Sequence, residues 1–145
     1  MTSKKNNLRF FTPKITSEKG SILIDVGISA GFPSPADDFR ETRISLDAEL
    51  ITNKEATFFA RVRGQSMIGA GLDDNDLLVI DRSLEPVNNK IAVCFLDGEF
   101  TVKRLRVEGK DVWLQPENPD YPVIKITEDL DFVIWGIVTN VIKKV

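Results

Sequence analysis

The sequence contains no histidine. That excludes Ser-His-Asp and Cys-His catalysis, imidazole acid–base chemistry and histidine-ligated metals. It contains a single cysteine, Cys94, which excludes internal disulfides and cysteine-rich zinc sites. No apolar run approaches the roughly 20 residues of a membrane-spanning helix, and the N-terminus lacks the apolar core of a secretory signal. The expectation is a cytoplasmic protein with no membrane partner. Neither sign of charge dominates: 19 basic residues face 22 acidic ones, for a net charge of −3. A dedicated nucleic-acid binder would carry a basic surplus, so no direct sequence-specific DNA binding is expected. The balance is uneven along the chain. Residues 1–30 sum to +3 and the remainder to −6, which reads as a solvated basic tail on an acidic body.

What is present describes one ordinary folded domain. The chain has 145 residues, 42% of them hydrophobic and 28% charged, with nine phenylalanines. This length buries roughly two thirds of the unfolded surface, and the apolar content excludes disorder of the whole chain.

Residues 1–20 are polar and basic, with Pro13 and Gly20 as breakers, and read as a poorly ordered arm. A period-two pattern follows. Ile22, Ile24, Val26, Ile28 and Ala30 share one parity, which predicts a strand ending at Gly31. Pro33 and Pro35 then forbid ordinary pairing. Ser34-Pro35-Ala36-Asp37 carries a capping serine, a first-turn proline and an acidic residue, and predicts a short helix to about Arg43. Beyond it strands dominate. Thr57–Arg63, Leu77–Asp81, Ile91–Leu96, Glu99–Val107, Val112–Leu114 and Phe132–Ile142 are the candidates, and Asp97-Gly98 is a two-residue hairpin turn. The predicted fold is mostly β: a compact antiparallel structure with a mobile N-terminal arm and one or two short helices.

Two features can carry chemistry. Gly64-Gln65-Ser66-Met67 places a serine on a glycine-flanked turn after a strand, where its hydroxyl can be approached closely. Taken alone, this is a tight turn. Lys103 is the second. With Asp97 and Gly98 as the loop, Ala92 faces Lys103, and Lys103 shares a sheet face with Thr101, Leu105 and Val107. Arg104 points to the other face. A lysine there can snorkel to water. If buried, it loses its charge more easily and can accept a proton from a serine hydroxyl. With no histidine, Ser-Lys is the hydrolytic pair open to this chain. Other motifs are structural: Asp73-Asp74-Asn75-Asp76 lacks the spacing of a calcium loop and reads as a solvated acidic turn, and Gly69-Ala70-Gly71 is no dinucleotide fingerprint. Trp113 and Trp135 read as core, and Cys94 as a buried, inert thiol.

Gly64-Gln65-Ser66-Met67 together with Thr101-Val102-Lys103-Arg104-Leu105, 37 residues from serine to lysine, resembles the LexA/UmuD family of self-cleaving serine peptidases. Further blocks agree in order: Gly31-Phe32-Pro33-Ser34-Pro35-Ala36, the acidic turn and strand from Asp73 to Asp81, Asp97-Gly98-Glu99-Phe100, Leu114-Gln115-Pro116-Glu117-Asn118-Pro119-Asp120-Tyr121-Pro122, and the strand through Gly136-Ile137-Val138. The resemblance spans residue 28 to the end.

It implies that Ser66 is the nucleophile and Lys103 its general base. The scissile bond would be Ala30-Gly31, with Ile28 as the apolar residue recognised before it. The backbone N–H groups of Gln65 and Ser66 would hold the oxyanion. It divides the chain into an arm, residues 1–30, removed by self-cleavage, and a β-rich peptidase and interaction domain, residues 31–145. About thirty residues precede the bond, too few for the helix-turn-helix domain of a repressor, so a UmuD-like accessory protein is expected. That role implies a homodimer, stimulation by a RecA–single-stranded-DNA filament, an error-prone translesion DNA polymerase as partner in the SOS response, and no cofactor. The alternative from another class is a non-cleaving interaction module whose serine and lysine are vestigial.

Overall fold

The computed structural model describes residues 9–14, 21–24, 30–31 and 41–145. Two compact units emerge, one joining the chain up to Pro13 with Asn53–Val145, the other spanning Lys14–Thr52. The first unit is built on an antiparallel sheet. Its strands are β1 (Arg9–Phe11), β4 (Thr57–Arg61), β5 (Leu77–Asp81), β6 (Ile91–Leu96), β7 (Glu99–Glu108), β8 (Asp111–Gln115), β9 (Ile124–Lys125) and β10 (Phe132–Ile142), in the spatial order β1-β4-β5-β10-β6-β7-β8-β9. The second unit pairs β2 (Ser21–Ile24) with β3 (Glu41–Ile44) and carries the one-turn helix α1 (Leu46–Leu50). The mostly β, antiparallel fold is the one predicted.

The central strands bury both faces, which is why they read as continuous apolar runs. Val93 and Val102 join Ala60, Leu78 and Ile80 in one core, while Ala92, Cys94, Leu105, Leu114 and Ile137 form another. A bulge in β10 moves its register against β6 between Ile134 and Gly136. The extra residue turns Ile134 and Ile137 toward the same core although they are three apart. Leu78, Ile80, Leu105 and Leu114 are wholly buried, each contributing about 1.5–3 kcal/mol.

Asp97 (φ +47°) and Gly98 (φ +87°) both adopt left-handed backbone, the requirement of a two-residue turn matched to strand twist. The register that follows sets Leu96 against Glu99 and Ala92 against Lys103, as predicted.

Three sequence expectations need correction. The first twenty residues are not wholly irregular, because Arg9–Phe11 pair with Arg61, Ala60 and Phe59 of β4. The polar composition around them hides a three-residue strand with two adjacent phenylalanines. The helix predicted to reach Arg43 does not, since Glu41–Ile44 is strand β3 and α1 begins only after Ser45, whose side chain caps it by accepting from the Ala48 N–H at 3.2 Å. The start of that predicted helix, residues 34–40, lies outside the described residues. So do residues 25–29 of the predicted strand, of which Ser21–Ile24 is seen. The strand predicted over Thr57–Arg63 ends at Arg61, because Val62 instead bonds the acidic turn. Among the described residues, no helix is long and apolar enough to cross a membrane.

Candidate active site

The loop after β4 carries Ser66. Val62 donates its N–H to the Asp76 carbonyl at 2.8 Å, and Asn75 donates back to the Val62 carbonyl at 2.7 Å. Gly64 then turns the chain with φ +94° and donates its N–H to Asp74 Oδ1 at 2.8 Å. Met67 and Leu72, at 3% and 2% exposure, sink into the core on the far side. A short 3-10 turn, Ile68–Ala70, closes on Gly71, whose left-handed backbone (φ +80°) ends it. Ser66 is thus held between an acidic turn and two apolar anchors.

A second segment clamps this loop from outside. Glu117 donates its N–H to the Ser66 carbonyl at 2.8 Å and accepts from the Gly69 N–H at 2.8 Å. Asn118, only 8% exposed, donates Nδ2 to the Gln65 carbonyl at 2.9 Å, while its Oδ1 accepts from the Asp120 N–H at 3.0 Å. The peptide group is planar and trans. Holding the Gln65 carbonyl on Asn118 therefore aims the Ser66 N–H in the opposite direction.

Lys103 reaches this loop from the middle of β7. Its Nζ lies 3.1 Å from Ser66 Oγ, 2.8 Å from Thr101 Oγ1 and 3.1 Å from the Val102 carbonyl. The residue is 8% exposed and faces Ala92 across the strand pair. Burial disfavours the ammonium and lowers the Lys103 pKa below that of an exposed lysine, with nearby Cys94 opposing weakly. The same burial pushes the Cys94 thiol up to about 12, against a smaller pull from Lys103. Both groups are thus driven toward their neutral forms. As an ammonium, Nζ donates to Ser66; as a neutral amine, its lone pair accepts the Ser66 hydroxyl proton.

Ser66 and Lys103 line a cleft of about 350 Å³ whose walls include Val62, Leu96, Phe100, Tyr121, Pro122 and Ile124. Among the described residues, no group of three or more acidic or thiol side chains is placed to hold a metal ion.

Of the residues singled out from sequence, Ser66, Lys103 and Gln65 come together here. Ala30 and Gly31 sit in a bend of the second unit, both exposed. Ile28 lies outside the described residues. The sequence reading missed Asp74, Glu117 and Asn118, which reach the Ser66 loop across turns and loops whose approach leaves no periodic trace. Thr101 was readable, since it lies two residues before Lys103 on the same strand face. The acidic turn is not simply solvated: Asp76 is buried, and it accepts from the Asp73 N–H at 2.8 Å and from Lys143. Burial raises its pKa, but these bonds and the Lys143 charge outweigh it and hold the carboxyl below its ordinary range.

Residues 22–139 match the family model described as Peptidase S24-like. The chain is 43% identical over 114 residues to Protein MucA of Salmonella typhimurium, covering 78% of this chain and 77% of that protein. It is 44% identical over 115 residues to Protein SamA of Salmonella typhimurium, covering 79% of each. A LexA repressor from Acidithiobacillus ferrooxidans is 38% identical over 119 residues, covering 80% of this chain and 58% of the repressor.

Proposed function

The chain belongs to the Peptidase S24-like family, and on that premise we propose that it cuts its own Ala30-Gly31 bond with Ser66 and Lys103. The observation that carries this reading is the 3.1 Å approach of Lys103 Nζ to Ser66 Oγ at a lysine that is 8% exposed. Neutral Lys103 takes the Ser66 proton as Oγ attacks the Ala30 carbonyl. The N–H groups of Gln65 and Ser66 receive the oxyanion. Lys103, now charged, gives its proton to the Gly31 nitrogen as the Ala30–Gly31 bond breaks. Lys103, neutral again, takes a proton from water as it attacks the acyl carbonyl, and returns that proton to Ser66 Oγ as the acyl–Oγ bond breaks. Ile28, apolar and two positions ahead of Ala30, is the residue proposed to be recognised before the cut. One event per chain frees residues 1–30 and leaves residues 31–145 as the working product.

The proposed role of that product is as a homodimeric accessory subunit of an error-prone translesion DNA polymerase in the SOS response, in the cytoplasm, with cutting stimulated by a RecA–single-stranded-DNA filament. Support comes from identity above 40% to the MucA and SamA proteins over most of the chain. The test is intact mass of the purified protein with and without the filament, beside Ser66→Ala. Filament-dependent appearance of a break between Ala30 and Gly31 in the wild type alone is expected. A chain that stays whole with the filament present would leave the interaction module as the reading.

A further inference from the structure

Lys103 and Arg104 are neighbours on β7 and point to opposite faces of the sheet. Lys103 lines the cleft that holds Ser66, whereas Arg104 lines a separate polar cleft with Asn89, Arg106 and Gln115. On that far face Arg104 opposes Gln115, the last residue of β8. The β7–β8 ladder stops there, and the chain runs on through Pro116 into the segment that clamps the Ser66 loop. Arg104 reaches past the end of the ladder. Its Nε donates to Glu117 Oε1 at 2.5 Å, with the two side chains 29% and 30% exposed. Its Nη1 donates to the Asn89 carbonyl at 2.7 Å. Asn89 is itself tied back to β7, donating its N–H to the Leu105 carbonyl at 2.9 Å. The guanidinium is thus braced against its own strand, and it grips the side chain of a residue whose backbone holds both Ser66 and Gly69.

We propose that Arg104 is a positioning residue for Ser66: its bond to the Glu117 side chain holds the clamp segment, and through it the Ser66 loop, within reach of Lys103. The proposal rests on the peptidase reading for its effect on cutting, not for the contact itself. A fully exposed ion pair contributes little. Here both side chains are mostly covered, and the donor is charged and fixed by a second bond, which makes for a strong hydrogen bond. The bonds from Glu117 to the loop use its backbone, which every substitution at that position retains. Loss of the clamp in Glu117→Ala therefore reports the side chain's tie to Arg104. The geometry at stake is the 3.1 Å approach of Lys103 Nζ to Ser66 Oγ. Displacing reacting groups by about 1 Å slows a reaction by up to about a hundredfold. Two neighbours on one strand thus set both halves of the site, Lys103 directly and Arg104 through Glu117.

The experiment measures cutting at about pH 9 by denaturing mass, for the full-length wild type, Arg104→Met, Glu117→Ala, Glu117→Gln and the double variant Arg104→Met/Glu117→Ala. Amide exchange by NMR accompanies it on the uncut Ser66→Ala background, with and without Arg104→Met. Arg104→Met and Glu117→Ala are each expected to slow cutting about ten- to a hundredfold. The double variant is expected to be no slower than the slower single, because both remove one bond. Glu117→Gln keeps an acceptor for the Arg104 Nε and is expected to lose less than Glu117→Ala. The Gly69 and Glu117 amides, which make the clamp, are expected to exchange at least about tenfold faster in Arg104→Met. The Val62 and Asn75 amides, bonded on the acidic-turn side of the loop, are expected to keep their rates. Cutting within about twofold of wild type in either single variant, losses that multiply in the double, or exchange that rises equally at all four amides or at none would overturn the proposal. If the wild type does not cut, the peptidase reading fails, and the exchange comparison still decides whether Arg104 holds the loop.

Discussion

Asn118 holds Gln65 from 53 positions further along the chain, its buried Nδ2 donating to the Gln65 carbonyl at 2.9 Å. With Glu117, which bonds both Ser66 and Gly69, it fixes the peptide units on either side of Ser66. The orientation of Ser66 is therefore set by a segment distant in sequence as well as by its own turn.

Asn118→Ala leaves the Gln65 carbonyl and the Asp120 N–H without these partners. A lost buried hydrogen bond that strands its partner costs about 1–3 kcal/mol. The expected result is that much loss in denaturant unfolding, measured on the uncut Ser66→Ala background, and cutting slowed by tenfold or more in the otherwise wild-type chain. Unchanged cutting with reduced stability would separate Asn118 from the orientation of Ser66.

Gly69 and Gly71 answer different requirements. A Cβ on Gly69 would lie 2.6 Å from the Glu117 carbonyl oxygen, the acceptor of the Gly69 N–H. Gly69→Ala must push the Ser66 loop away from its clamp, at about 1–3 kcal/mol, and is expected to suppress cutting. A Cβ on Gly71 meets nothing within 4 Å, so only the left-handed backbone at φ +80° resists it. Gly71→Ala is expected to cost about 1–2 kcal/mol and to leave cutting within a fewfold of wild type. Rates from mass analysis and midpoints from thermal unfolding check the contrast.

The buried Lys103 gives stability a defined dependence on pH. Its folded pKa lies below 10.5, the ordinary value. Between those two pH values the unfolded chain holds a proton that the folded chain does not, so this residue's contribution to stability rises with pH across that window. Lys103→Met, on the Ser66→Ala background, removes the titration. The methionine variant is expected to be the more stable at neutral pH, with its Tm advantage shrinking as pH rises toward 10. Parallel Tm curves from pH 6 to 10 would mean that Lys103 is not desolvated.

Cys94 is wholly buried, and its thiol is pushed up to about 12. Thiolate is the reactive form, so iodoacetamide at pH 8 is expected to leave the native chain unmodified for hours and to alkylate it fully in guanidinium. Rapid alkylation of the native chain would show that β6 opens.

The sequence made the sheet legible where burial is two-sided or periodic. Leu77–Asp81, Ile91–Leu96 and Phe132–Ile142 are where the apolar runs placed them, and Asp97-Gly98 gave the hairpin whose register turns Lys103 inward. It did not reveal β1, because three residues in a basic stretch carry no period and owe their strand state to β4 and to the packing of the Phe10 ring on Phe100 and Trp135. Nor did it separate β3 from a helix near Arg43, where the cap chemistry of Ser34-Pro35 outweighed a pairing with β2 that only the tertiary structure supplies. In the site, the Ser66 and Lys103 motifs were readable individually. Their meeting is a matter of loop placement, and the clamp joins backbone groups of Glu117, which every sequence contains, to the side chain of Asn118, whose partner lies 53 positions away and leaves no periodic trace.

The central claim is that buried Lys103 deprotonates Ser66 to cut the chain after Ala30. The direct measurement is the rate of appearance of the 1–30 and 31–145 masses from pH 6 to 10, for wild type, Ser66→Ala, Lys103→Ala and Lys103→Arg. The account predicts a wild-type rate that climbs with pH and levels off below pH 10.5, the ordinary lysine value, as Lys103 loses its proton. It predicts a loss of at least about a hundredfold in each variant, the arginine included because a guanidinium stays charged. A break elsewhere, a rate indifferent to pH, or a Lys103→Ala chain that cuts as fast as wild type would contradict it.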